Sequence, residues 1–170
     1  MDFELPADDD PRRLEVRAWL AEHPDPSGVE LTEAGYVAPH WPRPWGLDAD
    51  PILQIVIDEE LKRAGVRRPN NQIGIGWAGP TIVHAGTPDQ QARYLPKILS
   101  GEEIWCQLFS EPEAGSDLAN LGTRAVRDGD EWVINGQKIW TSLAQHSSFG
   151  ILIARTAPDA PKHAGITYFV

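Results

Sequence analysis

An α+β fold, with helices first and antiparallel strands after a boundary near residue 103, is predicted by three features of the sequence. Up to Leu99 the apolar residues recur at helical spacing, and capping residues stand where such segments begin and end. Past Glu103 the period shortens to alternation in short runs rich in β-branched and aromatic residues. Two Asx-Gly dipeptides, Asp128-Gly129 and Asn135-Gly136, fall among those runs, where hairpin turns are expected.

The first helix begins behind Asp10, which can accept from the first free N–H groups, with Pro11 in the first turn. Leu14, Ala18 and Ala21 with Leu20 give it an apolar side, and His23 and Pro24 end it. Gly35 to Gly46 holds too many prolines for a regular element and is expected to be an aromatic loop through Tyr36, Trp41 and Trp45. A second helix starts at Pro51 behind Asp50 and runs through Ile52, Ile55, Val56 and Glu59 to Leu61 as far as Ala64 or Gly65. A third, Ile73 to Ala85, is apolar almost all round and is expected to be buried among other helices, with Gly86 ending it. Thr87-Pro88-Asp89-Gln90 combines an N-cap, a first-turn proline and a capping-box glutamine, so a helix should run from there to about Leu99 and stop at Gly101.

Strands are expected over Ile104 to Ser110, Leu121 to Arg127, Glu131 to Ile134, Gln137 to Ser142, Phe149 to Arg155 and Ile166 to Val170. The two Asx-Gly pairs suit type I′ turns, which need positive φ at both central positions. A final strand with no blunting charge or bulge leads us to expect that more chain or a partner adjoins it.

Composition narrows the function. Hydrophobic residues at 41% and charged residues at 24% are those of an ordinary globular chain. A formal charge of −10, with no basic stripe, argues against nucleic acid. No apolar run is long enough to span a bilayer and the first residues are acidic, so no membrane span or secretory signal is expected and the default location is cytoplasmic. Cys106 is the sole cysteine and the five histidines lack ligand spacing, so no metal site is expected.

Two runs could carry chemistry. In Ser110-Glu111-Pro112-Glu113-Ala114-Gly115-Ser116-Asp117, Gly115 would turn the backbone at positive φ, successive N–H groups could form an anion nest, and Ser116 would add a hydroxyl. The plain alternative is an ordinary loop capped by Ser116 or Asp117. In Gly136-Gln137-Lys138-Ile139-Trp140-Thr141-Ser142, Trp140 offers a flat face for a fused ring, with hydroxyls beside it for polar edge atoms. Its plain alternative is a strand tryptophan filling a core. Lys138 and Arg155 could serve the phosphates of an anionic ligand, but solvated surface charge is the simpler reading of both.

Taken in order, His84-Ala85-Gly86-Thr87-Pro88-Asp89-Gln90 to Tyr94-Leu95-Pro96, Gly101-Glu102, the Ser110 to Asp117 run, and Asp128 through Asn135-Gly136-Gln137-Lys138-Ile139-Trp140 resemble the acyl-CoA dehydrogenase family. The likeness spans most of the chain, loosely before residue 70 and closely from Asn71 to about Ser142. It implies an amino-terminal helical domain (1–103) followed by an incomplete antiparallel β-barrel-like middle domain (104–170). It also implies FAD as cofactor, an acyl-CoA substrate desaturated between Cα and Cβ, an electron-transfer flavoprotein-like acceptor, and a homo- or hetero-oligomer.

Positions matching the family's flavin contacts are Gln107, Phe109 and Ser110, then Gly115 and Ser116, then Trp140 and Ser142. The resemblance assigns Ser110 and Ser142 to the flavin's polar edge, Trp140 to its ring, and Gly115 with Ser116 to the FAD pyrophosphate or the acyl-CoA. It also implies an acyl path beside the helices of Ile73 to Ala85 and Thr87 to Leu99. The sequence departs from the commonest family form by having serine for threonine at Ser110 and Ser142, and Leu143-Ala144 for Asn-Gly. FAD and coenzyme A are anionic, so an acidic chain must meet them with N–H groups and hydroxyls. The family's basic glutamate belongs to a carboxy-terminal helical domain, and no residue here corresponds to it. Glu59, Glu60, Glu102, Glu103, Glu111 and Glu113 read as solvated or capping. No catalytic residue is therefore assigned, and a non-catalytic partner of a full-length dehydrogenase is the alternative reading.

Overall fold

The computed structural model describes residues 5–170, which form two compact units, one ending at Glu102 and the other Glu103–Val170. Among the described residues, no helix is long and apolar enough to cross a membrane.

The first unit is helical: α1 (Pro11–Glu22), α2 (Gly28–Glu33), α3 (Pro51–Arg63), a π-helical stretch Gly74–Ala78 running into α4 (Gly79–Ala85), and α5 (Pro88–Ser100). Its core is built from Val16, Leu20, Leu31, Trp41, Val56, Ile57, Ile82, Leu95 and Leu99. The Asp10 carboxylate caps α1 by accepting from the Arg12 N–H, and Asp50 caps α3 through the Leu53 N–H at 2.8 Å.

The buried side of α1 differs from the expected one. It is Arg13, Val16 and Leu20, while Leu14 is exposed. The reason lies on α3, where Glu60 is only 1% exposed and takes Arg13 Nη1 at 2.8 Å, Arg17 Nε at 2.8 Å and Arg17 Nη2 at 3.0 Å. Glu60 is therefore the centre of an ion-pair network and not a solvated carboxylate.

Helix α2 was not expected. Six residues are too few for periodicity to register, yet Ser27 and Glu30 carry its signature, a capping box with the Ser27 N–H donating to Glu30 Oε2 at 2.7 Å. Helix α5 has the expected box, in which Thr87 Oγ1 accepts from the Gln90 N–H at 3.2 Å and Gln90 Oε1 accepts from the Thr87 N–H at 2.9 Å. Gly101 closes it at φ 79°, the left-handed conformation that a side chain resists. Thr87→Ala should lower the stability of this unit by about 1 kcal/mol, read as a shifted urea midpoint at unchanged slope.

The segment expected as one buried helix is split and only partly covered. The Gly79 N–H bonds to the Gly74 carbonyl five residues back, and a Cβ at Gly79 would lie 2.1 Å from the Trp41 ring. Trp77 stays 51% exposed, because the all-round apolar pattern says nothing about which neighbours cover which side.

The second unit is a five-stranded sheet: β1 (Trp105–Leu108), β2 (Arg124–Asp128), β3 (Glu131–Asn135), β4 (Phe149–Arg155) and β5 (Ile166–Phe169). The order is β1-β4-β2-β3, with β5 also on β4. Helices followed by an open, incomplete sheet is the expected architecture, but the pairing is mixed. β4 runs parallel to β1 over Trp105↔Phe149 to Leu108↔Leu152, meets β2 in parallel at Arg124↔Arg155, and is antiparallel to β5. The β2–β3 hairpin lies between β1 and β4 in sequence, so β4 returns in the direction of β1. Trp105 and Phe149 stack across that pairing with ring centroids 5.2 Å apart.

Two turn expectations change. The hairpin loop is Gly129-Asp130, since Asp128 pairs with Glu131, and only Gly129 has positive φ, the pattern of a type II′ turn in place of I′. Asn135-Gly136 makes no hairpin. Asn135 ends β3, and Gly136 lets the chain pass Thr123, where a Cβ would sit 2.1 Å from the hydroxyl oxygen. Gln137 to Ser142, expected as a strand, is irregular because Trp140 and Leu143 both adopt positive φ, at 58° and 66°.

Candidate functional site

Strand β1 delivers Gln107 and, just beyond its end, Phe109 and Ser110, all half-buried. The chain then makes a tight turn in which the Glu111 N–H donates to the Ala114 carbonyl at 2.9 Å and the Ala114 N–H donates back at 3.1 Å. Buried Glu111 and Ala114 anchor this turn, and Gly115, Ser116 and Asp117 emerge from it exposed.

The two sequence runs are joined here. The Ile139 N–H donates to the Ser110 carbonyl at 2.9 Å. Lys138 Nζ donates to the Phe109 carbonyl at 3.0 Å and to Glu111 Oε1 at 2.8 Å. The Glu111 carboxylate also accepts from the N–H groups of Gly122 at 2.6 Å and Thr123 at 3.0 Å. Burial by itself pushes the Glu111 pKa up, but Lys138, Thr123 and the Gly122 N–H more than reverse this and bring it from 4.5 to about 2.

Both charges contradict the solvated reading. The side chains of Lys138 and Glu111 are 7% and 8% exposed. The sequence offers Lys138 only as a possible phosphate contact and Glu111 not as a site residue at all; the further signal for both is that each stands inside one of the two runs. Arg155 is half-buried and donates to the carbonyls of Ala119 at 2.7 Å and Lys162 at 3.3 Å, so it too is engaged by the backbone.

The remaining residues separate by exposure. Trp140 is 86% exposed at positive φ, so it is not a core tryptophan. A large apolar face held outward in a sparsely populated backbone region costs stability, and such conformations gather at functional sites. Ser142 is exposed beside it, its N–H turned back to the Trp140 carbonyl at 3.0 Å. The hydroxyls of Ser110, Ser116 and Ser142 enter no hydrogen bond among the described residues. Phe109 meets Tyr168 edge-on with centroids 6.2 Å apart.

Gly115 corrects an expectation: its φ is not positive, so the fold does not demand glycine for a left-handed turn. A Cβ there would meet nothing within 4 Å, leaving the backbone open to a ligand. The arrangement therefore offers an apolar indole face and free hydroxyls on two loops locked together at residues 109–111 and 138–139.

Comparison with known proteins shows what the chain as a whole is similar to. The family model described as acyl-CoA dehydrogenase, N-terminal domain, matches residues 10–102, and that of the middle domain matches residues 106–170. Acyl-CoA dehydrogenase FadE34 of Mycobacterium tuberculosis is 55% identical over 162 residues, which are 93% of this chain and 23% of that protein. Acyl-CoA dehydrogenase IpdE1 of the same organism is 42% identical over 157 residues, 92% of this chain and 39% of that one. The chain thus spans less than half the length of these curated relatives. Among solved structures, the ChsE4-ChsE5 complex from Mycobacterium tuberculosis superposes at TM-score 0.74 with 34% identity, covering 99% of this chain and 47% of that one. The Tcur3481-Tcur3483 steroid ACAD superposes at 0.73 with 37% identity, covering 99% and 48%.

Proposed function

Since this chain belongs to the acyl-CoA dehydrogenase family, we propose that it contributes one wall of an FAD site for α,β-desaturation of an acyl-CoA thioester. In this reading residues 1–103 are the amino-terminal helical domain and 104–170 part of the middle domain. The observation that carries it is the joining of the Ser110 and Trp140 runs through Lys138 and Ile139, with the Trp140 face left open.

The residues present fit a flavin. Trp140 would pack on the ring, Ser110 and Ser142 would donate to its polar edge, and Gln107 and Phe109 would line the strand side. Gly115 and Ser116 would meet the pyrophosphate or the acyl-CoA with backbone N–H groups and a hydroxyl, which lets an acidic chain bind an anionic ligand. When bound, FAD supplies the hydride acceptor for Cβ. This chain's part is to orient that acceptor and exclude water from one side.

The family resemblance assigns the general base to a glutamate of the carboxy-terminal helical domain, to which no residue of this chain corresponds, and two carboxylates present here, Glu60 and Glu111, are already engaged in ion pairs. The steroid ACAD among the solved relatives favours a bulky polycyclic acyl group. Because that relative and the ChsE4-ChsE5 complex each carry two component names, a hetero-oligomeric assembly is favoured. The same observation supports the second reading, a non-catalytic partner of a complete dehydrogenase subunit. The electron-transfer flavoprotein-like acceptor is what the family resemblance implies.

Titration with FAD, followed by flavin fluorescence, tests the proposal on the chain alone and on its co-purified assembly. Trp140→Ala should weaken FAD binding about tenfold through loss of the stacking face. Equal affinity for the two proteins, or no FAD uptake by either preparation, would sink it.

A further inference from the structure

The Trp140 run has no ladder to hold it. Residues 137–142 are irregular; apart from the local Ala144 N–H to Thr141 carbonyl bond at 3.3 Å, the hydrogen bonds that join them to the rest of the unit among the described residues are the Ile139 N–H to Ser110 and the two made by Lys138. An ammonium is costly to bury, and Lys138 is buried although Gln137 and Trp140 around it are exposed. Its three partners along the other run are successive: Lys138 grips residues 109 and 111, and the Ile139 N–H takes residue 110 between them. Through Glu111 the same lysine is linked to the turn that ends at Ala114 and presents Gly115, and to the N–H groups of Gly122 and Thr123.

We propose that Lys138 is a positioning residue for the site, holding the Trp140 loop and the Ser110–Ser116 loop in one frame so that both address the same ligand. It touches neither flavin nor substrate and acts through the carbonyl of Phe109 and the carboxylate of Glu111. The ligand half of this inference rests on the flavin reading above; the anchoring half does not.

The test uses the full chain as Lys138→Met, and as Lys138→Met with Glu111→Gln, which removes both charges together and leaves no lone buried ion. Glutamine's single oxygen can replace only one of the two carboxylate oxygens that take the Gly122 and Thr123 N–H groups, so amides of the sheet are read alongside to separate this loss from the loss of the lysine. Amide hydrogen exchange is read at Ile139 and, as an internal control, at Ala125 and Ile151 in the sheet. In the double variant, Ile139 should exchange about tenfold faster or more while Ala125 and Ile151 keep their protection, and FAD affinity should fall about tenfold. Unchanged exchange at Ile139 overturns the proposal. Loss of protection at Ala125 and Ile151 as well also overturns it, since Lys138 would then be a stability residue. Faster exchange at Ile139 with unchanged FAD affinity supports the anchoring and overturns the ligand half of the proposal, whereas no FAD uptake by the natural chain and its assembly overturns the flavin reading on which that half rests.

Discussion

Glu60→Ala should be the most damaging single change in the helical unit, lowering its stability by about 3–5 kcal/mol and its melting temperature by on the order of 15 °C. Glu60 lies on the buried side of α3 beside Val56, Ile57 and Leu61. Arg17 first, and Arg13 with it, hold its pKa below the usual carboxylate range against the opposing effect of burial. Arg13 is 4% exposed, and without Glu60 its guanidinium keeps, among the described residues, only Glu59 and the Pro6 carbonyl. The loss is therefore chiefly the cost of a buried cation short of acceptors. A double variant, Arg13→Met with Glu60→Leu, should recover most of the stability, because the unpaired charge is removed along with its partner. Thermal unfolding of the three proteins by circular dichroism decides this, and a double variant no better than Glu60→Ala would show that packing and not charge sets the cost.

Glu111 should give the β unit its acid sensitivity. Its folded pKa, about 2, is depressed below the ordinary 4.5, so the stabilisation is fully present above about pH 5 and is lost as pH falls toward 2. A difference of that size in a side chain this well buried amounts to about 3 kcal/mol at neutral pH, with about 2 kcal/mol of it gone by pH 3. Urea midpoints measured from pH 7 down to pH 3 should fall steadily below pH 5 in the natural chain. In Glu111→Gln they should start lower and vary less, since no carboxyl remains to take up the proton. A variant with the same pH slope as the natural chain would place the acid response elsewhere.

The Glu60 and Glu111 networks also mark where reading residues in order stops being informative. A charged residue is exposed by default, and the local pattern around Glu60 or Lys138 says nothing of an arginine 47 residues away or a glutamate 27 residues away. For the same reason Leu14 seemed the inward residue of α1, until the demand of Glu60 turned Arg13 to that side. The Gln137 to Ser142 run has strand-like composition, but Trp140 and Leu143 sit at positive φ, which composition does not report. Gly136 invited a turn by its dipeptide, and its actual role, passage beside Thr123, depends on a segment brought there by the fold.

What the sequence by itself determined is whatever neighbours along the chain settle among themselves: the caps at Asp10, Asp50 and Thr87, the stop at Gly101, the strand Phe149–Arg155, the order of helices before strands, and the family likeness carried by short motifs. Only the tertiary structure decided which side of each helix is inward, that β4 runs parallel to β1, and that the Ser110 and Trp140 runs meet through Lys138. The division has one physical cause. A cap or a turn is satisfied by backbone groups a few residues away, whereas a buried charge or a strand's direction is settled by partners that only the folded chain brings within reach.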